Sequence, residues 1–233
     1  RVGEKVGDEI FQRAMALQQL QNETEAREAD AEYTIAVGER RAAYHALEGK
    51  SAVEGYKPFI NDVRRIQQDF GSRLSNPMAK RIFDRESRSM MSRTIFNGAG
   101  HAASQNRRWA EGASRARVDT SINDTLNDPS PNALGAGRRA IDQESHNLAG
   151  INGWDEAQRE KYVREENSRM LLTHVRGLSR SEPFKAKEFL EANRGQFDDR
   201  DIDRAEQIVR TNLYQTGSRR ISDEVNAQPV EGG

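Results

Sequence analysis

The stretch SAVEGYKPFINDVRRIQQDFGSRL, residues 51–74, decides the fold class. Val53, Tyr56, Phe59, Ile60, Val63, Ile66, Phe70 and Leu74 recur at intervals of three and four, the spacing that gathers side chains on one face of an α-helix. A strand would need alternation at every second residue, and nowhere does the chain combine that alternation with β-branched enrichment. Pro58 removes an interior donor, so the spacing predicts either a kink at Pro58 or a helix that begins near it.

Working outward, Glu48-Gly49-Lys50-Ser51 reads as a break, with Gly49 suited to a left-handed C′ position and Ser51 to the N-cap of the next helix. Upstream of it, Val6, Ile10, Phe11, Ala14, Leu17 and Leu20 mark one helical stripe. An alanine-rich continuation from Asn22 to Leu47 carries Tyr33, Ile35, Val37 and Tyr44. The two sides of the break therefore form a helical hairpin. Glu23, Glu25, Glu28, Asp30 and Glu32 give it an acidic, solvated face.

Downstream, Ser75-Asn76-Pro77 is an N-cap followed by proline at the first helical position. Met78, Ile82, Phe83, Met90, Met91, Ile95 and Phe96 supply the buried side of the helix it opens. That helix is expected to end near Asn97-Gly98 and to resume by Ala102, with Trp109, Ala113, Ala116, Val118 and Ile122 turned inward. Gly98, Gly100 and Ala103 in this small-residue stretch, together with Trp109, are the candidates for close helix packing.

Asn127-Asp128-Pro129-Ser130-Pro131-Asn132 cannot continue a helix and reads as a linker. Further helices are expected from Leu134 to Leu148, from Asp155 to Leu178, from Pro183, and from a cap at Asp198 or Asp199. The expected organisation is a long-helix bundle over 1–126, a linker at 127–133, a smaller helical domain over 134–216 and a flexible tail over 217–233. The fold class is all-α, an elongated multi-helix bundle of hairpins with essentially no sheet.

Composition agrees with long amphipathic helices. Only 35% of residues are hydrophobic against 31% charged, and the mean hydropathy is −0.92. The 36 Lys+Arg and 37 Asp+Glu nearly cancel, but unevenly along the chain. Residues 57–117 hold thirteen basic and five acidic side chains, whereas residues 1–32 hold four basic and eight acidic. The absence of cysteine excludes disulfides, thiolate nucleophiles and Cys-type zinc sites. Neither a transmembrane run nor a signal-peptide pattern is present. A start at Arg1 and an end at Gly233 are expected of a processed chain or an internal segment of a longer one.

Catalytic and cofactor chemistry finds no motif. The four histidines, His45, His101, His146 and His174, are too far apart for a local metal motif, and His174 on an apolar face reads as a packed core histidine. Asp199, Asp201 and Asp203 alternate like calcium-loop ligands. However, Arg204 stands where that loop needs glycine and Arg210 where it needs glutamate, so helix capping explains them. There is no phosphate-cradling glycine pattern, and no metal, cofactor or small-molecule substrate is expected. Arg81, Arg85 and Arg88 share a helical face, with Arg107 and Arg108 further along. They are candidates for binding phosphate or a partner. The stripe either grips DNA phosphates or pairs with the acidic amino-terminal helices, within the chain or in a neighbouring subunit.

Three segments carry a family resemblance: Gly153-Trp154-Asp155-Glu156-Ala157-Gln158-Arg159, Phe184-Lys185-Ala186-Lys187-Glu188-Phe189-Leu190-Glu191-Ala192-Asn193-Arg194, and Asp201-Ile202-Asp203-Arg204-Ala205-Glu206-Gln207-Ile208-Val209-Arg210. They resemble helical repeats of tailed-bacteriophage internal virion, or ejection, proteins. The region from Tyr44 to His101 is similar to what precedes such repeats, so the resemblance spans most of residues 44–215. It implies a structural virion protein, an oligomer in the tail or capsid interior that takes part in genome ejection. Implied partners are tail or portal proteins, DNA, and the host envelope after ejection. Such proteins often carry a lytic transglycosylase domain. Glu86-Ser87 and Glu144-Ser145 match its glutamate-serine pair, but neither is followed by Gly-Leu-Met-Gln, so no enzyme activity is expected of this chain.

Overall fold

The computed structural model describes the backbone of residues 2–227 and the side chains of residues 7–219. Among the described residues there are seven α-helices and no strand. These are α1 (Val2–His45), α2 (Gly49–Arg73), α3 (Pro77–Asn127), α4 (Pro131–Asn152), α5 (Glu156–Ser181), α6 (Pro183–Asn193) and α7 (Asp199–Ala227), with one 3₁₀ turn at Arg194–Gln196.

The breaks follow local chemistry. Gly49 takes φ +52° as the turn from α1 into α2 requires. Ser51 is not the cap, because α2 already begins at Gly49, whose N–H is satisfied instead by the side-chain oxygen of Gln105 on α3 at 2.9 Å. Pro58 lies inside α2, which neither begins nor ends there. Asn76 caps α3 by accepting from the N–H groups of Met78 and Ala79, both at 3.0 Å. Ser130 does the same for α4, accepting from Ala133 N–H at 3.2 Å. Asp155 and Gln158 cap α5 reciprocally, each side chain accepting the other's N–H.

The expected stop at Asn97-Gly98 does not occur, and α3 continues unbroken to Asn127. Glycine is needed at 98 for proximity rather than flexibility. A Cβ there would lie 2.5 Å from Cε1 of Phe59, so α2 and α3 can approach only over a bare backbone. At the other end of the chain, the tail expected from 217 is helical through Ala227, and residues 228–233 lie outside the described residues.

The chain forms two compact units that divide inside α3, at Trp109/Ala110, and not at the proline-rich turn. That turn joins α3 to α4 within the second unit, because Val118 and Ile122 of α3 share a core with Ile141 of α4 and Met170 of α5.

In the first unit α1 and α2 are antiparallel, as the pairs Tyr44–Phe59 and Tyr33–Phe70 require. α3 runs parallel to α1, at an offset of 54 or 56 positions in the hydrogen bonds Tyr44–Gly98 and Thr34–Met90 that join them. Its core is aromatic, with Tyr44 stacked on Phe59 at 4.3 Å and Tyr33 edge-on to Phe83 at 5.6 Å. In the second unit α5 is buried nearly all round between Met170 and Val175, and packs Leu172, Val175 and Leu178 against Ala186 and Leu190 of α6 and Ala205 and Val209 of α7. His174 is buried against the Phe189 ring, with centroids 4.5 Å apart.

Candidate interaction surface

The amino-terminal part of α1 stands apart from its own bundle. Asn22 accepts a hydrogen bond from Asn76, and Glu25 accepts two from Ser75, which ties α1 to the α2–α3 turn at that level. Every residue from Gly7 to Gln21 is exposed. Ile10, Phe11, Met15, Leu17 and Leu20 are each more than half exposed, so the stripe read from the sequence is present but is left unburied by the described residues. Phe11 and Met15 face Met78, Arg81 and Ile82 across an open groove of about 910 Å³. An isolated helix of this length is marginal in water, and an apolar stripe is ordinarily buried against a partner.

The arginine candidates separate into two places. Arg81, Arg85 and Arg88 fall within roughly 60° of one another on the outer side of α3. All three are exposed. Among the described residues Arg81 and Arg88 pair with no carboxylate, and Arg85 reaches only its neighbour Glu86, at 3.8 Å. Pairing with the acidic helices of the same chain is therefore not what this stripe does here. Arg107 and Arg108 are also exposed but lie roughly 28 Å further along the helix from Arg88, too far to act on one small ligand with it.

Of the packing candidates only Gly98 is at a close approach. Gly100 has open space where a side chain would go, Ala103 is exposed, and Trp109 is 46% exposed rather than inward. Ala102 is buried in place of Ala103, and one residue on a helix is about 100° of rotation. Met78 and Phe96 are likewise on the outer side, Phe96 at 77% exposure, and Ala116 is exposed.

Sequence reasoning missed the polar inner seam of α3. Ser87, Thr94, Gln105, Ser114 and Thr125 are all buried, and apolar periodicity does not detect them. His101 bonds the Leu47 carbonyl through Nε2 at 2.9 Å, and with Gln105 it fastens the α1–α2 turn to α3.

Glu144 belongs to one of the two glutamate-serine pairs, and its setting is that of a permanent anion. It is buried, and receives Arg117 through Nε at 2.5 Å and Nη2 at 2.9 Å, and Asn147 at 3.0 Å. The Arg117 hydrogen bonds hold its carboxyl down to about 2 against the upward push of burial. A general acid needs the opposite shift. Because the folded value is depressed, this pair stabilises the second unit above about pH 4.5 and the contribution is lost as pH falls towards about 2. Glu144→Gln is expected to cost about 2 kcal/mol at pH 7, with Arg117 half in solvent limiting the effect, and to flatten the acid limb of the stability profile measured in urea.

His174 shifts downward because burial penalises its charged form, outweighing the smaller upward pull of Asp128. Among the described residues its Nδ1 has no partner, so protonation adds an unsatisfied buried charge. Stability of the second unit is therefore expected to fall as pH drops below about 6.5, and His174→Phe is expected to remove that dependence. Thermal melts at pH 7.5 and 5.5 check it.

Comparison with known proteins finds no matching family model, no matching curated protein and no matching solved structure.

Proposed function

We propose that the chain is a structural, non-enzymatic subunit that assembles into a homo-oligomer through its first unit. The observation that carries this reading is the stretch of α1 from Gly7 to Gln21, exposed on every side with five large apolar residues unburied. Apolar surface concentrated on one protruding helix is the mark of an interaction site. The resemblance read from the sequence gives the specific form of the proposal, an internal virion protein of a tailed bacteriophage that takes part in genome ejection. In that role it would meet tail or portal proteins in the virion and the host envelope after ejection. Electron microscopy of the purified chain tests it. Rings or tubes support the reading, and a field of single small particles at all concentrations contradicts it.

A second reading, a nucleic-acid-binding module using residues 57–117, is favoured by the unpaired guanidiniums of Arg81 and Arg88. It requires affinity for duplex DNA that falls steeply and log-linearly with salt and that is lost in Arg81→Ala/Arg88→Ala. Salt-independent retention, or none, sinks it.

A further inference from the structure

α1 carries a second seam on the side away from its core. Its inner seam is Ala26, Tyr33, Val37 and Tyr44. Roughly half a turn round, positions four and three apart run from Ile10 through Leu17, Ala31 and Ile35 to Ala42, all exposed, with Ile35 at 64%. Glu28, Glu32 and Glu39 lie on or beside this outer seam. They are exposed, and among the described residues none pairs with a base. A heptad spacing of small and apolar residues flanked by unpaired charges is the pattern of a helix awaiting a helix.

The outer side of α3 offers the complement. Met78, Arg81, Arg85, Arg88, Ser92 and Phe96 fall within roughly 80° of one another, with Arg93 beside them. Within one chain Arg85, Arg88, Ser92 and Phe96 are exposed on α3, and Met78 and Arg81 border only the open groove under Phe11 and Met15, so the outer seam of α1 meets none of them. We propose that a second copy of this chain seats the outer face of its α3 on the outer face of α1, in a head-to-tail contact between subunits standing at the same level. This deepens the assembly reading above and rests on it.

The register supports the match. Within the chain, α1 positions lie level with α3 positions 54 to 56 residues later. Side by side at that level, Glu28 and Glu32 stand opposite Arg81, Arg85 and Arg88 of the neighbour, and Glu39 stands opposite Arg93. The projecting Phe96 ring comes level with the small residues Gly38 and Ala42, and Met78 with Leu20 and Thr24. Opposite charge and knob against small residue therefore coincide in one register.

Residues 7–21 of α1 run beyond the level of Pro77, and Phe11 and Met15 meet the start of α3 only across the open groove they share with Met78, Arg81 and Ile82. There α1 has two apolar sides, Ile10 with Leu17 and Phe11 with Met15, separated by roughly 130°. A helix flanked by neighbours on both sides needs two such faces. Because the contact joins different surfaces, repetition closes it into a ring or extends it as a filament. DNA on the arginine stripe would leave the carboxylate row and both apolar sides unused. An anionic lipid surface would be repelled by that same row.

Charge reversal with rescue tests the contact in the full chain. Arg81→Glu/Arg85→Glu/Arg88→Glu, and separately Glu28→Arg/Glu32→Arg, are expected to reduce the mass seen by light scattering to the single-chain 26.3 kDa. The chain carrying all five reversals is expected to regain the wild-type mass. Phe96→Glu, at a position with no role in the bundle, is expected to dissociate it as well. Circular dichroism and melting should match wild type throughout. Reversed chains that assemble normally, or a five-fold variant that fails to reassemble, overturn this contact while leaving assembly through another surface standing. A wild-type chain that is a single subunit at every concentration overturns both.

Discussion

Phe59→Ala is expected to lower the stability of the first unit by about 4 kcal/mol, near the upper end for a truncated core aromatic. Phe59 is fully buried, stacks on Tyr44 at 4.3 Å and lies over the bare backbone of Gly98. The Arg40 guanidinium also sits 5.8 Å from its ring centroid while bonding Asp62 at 2.7 Å. Truncation leaves the Tyr44 ring without its partner and opens a void between α2 and α3 that neither helix can close without shifting. Urea unfolding followed by Trp109 fluorescence reads the effect, and a loss below about 1 kcal/mol would place the core of this unit elsewhere.

Gly177→Ala carries the second large effect, about 2 kcal/mol of destabilisation in the second unit. A Cβ at 177 would lie 2.7 Å from the Leu126 carbonyl oxygen and 3.0 Å from that of Thr125. Both are backbone atoms of α3, so relief requires α3 and α5 to separate, an overpacking cost of about 1–3 kcal/mol. The gain of up to about 1 kcal/mol in helix propensity offsets only part of it. Gly137→Ala is the control. There the nearest atom is the Met170 sulfur at 2.5 Å, which can swing aside, so stability should stay within about 1 kcal/mol of wild type. Trp154, in the second unit, reports both variants.

Much of the fold was legible because its punctuation is chemical. Gly49, Asn76-Pro77, Asp155 and Pro183 end or begin helices for reasons confined to a few residues, and the structure breaks at each, whereas α4 starts at Pro131, inside the expected linker. The stripe on residues 51–74 likewise predicts the buried Phe59 and Val63.

Burial along α3 was legible only in part: Phe83, Val118 and Ile122 are buried as expected. Its inner side is also held by Ser87, Thr94, Gln105, Ser114 and Thr125, which look like surface residues. Met78, Phe96 and Trp109, which look like core, are turned outward. The glycine-rich stretch carries both a break and a close-packing reading, because a single sequence does not distinguish a glycine that ends a helix from one that lets another helix come close. Gly98 does the second. Of the candidate surface, the arginine stripe and the amino-terminal apolar stripe were both visible as patterns. That each is unpartnered within its own chain depends on the offset between α1 and α3, which only the packed bundle defines.

Mass in solution tests most directly whether this chain is a subunit of an assembly. Light scattering over a wide concentration series should give a mass many times 26.3 kDa that falls on dilution. A constant single-chain mass at every concentration would contradict the account.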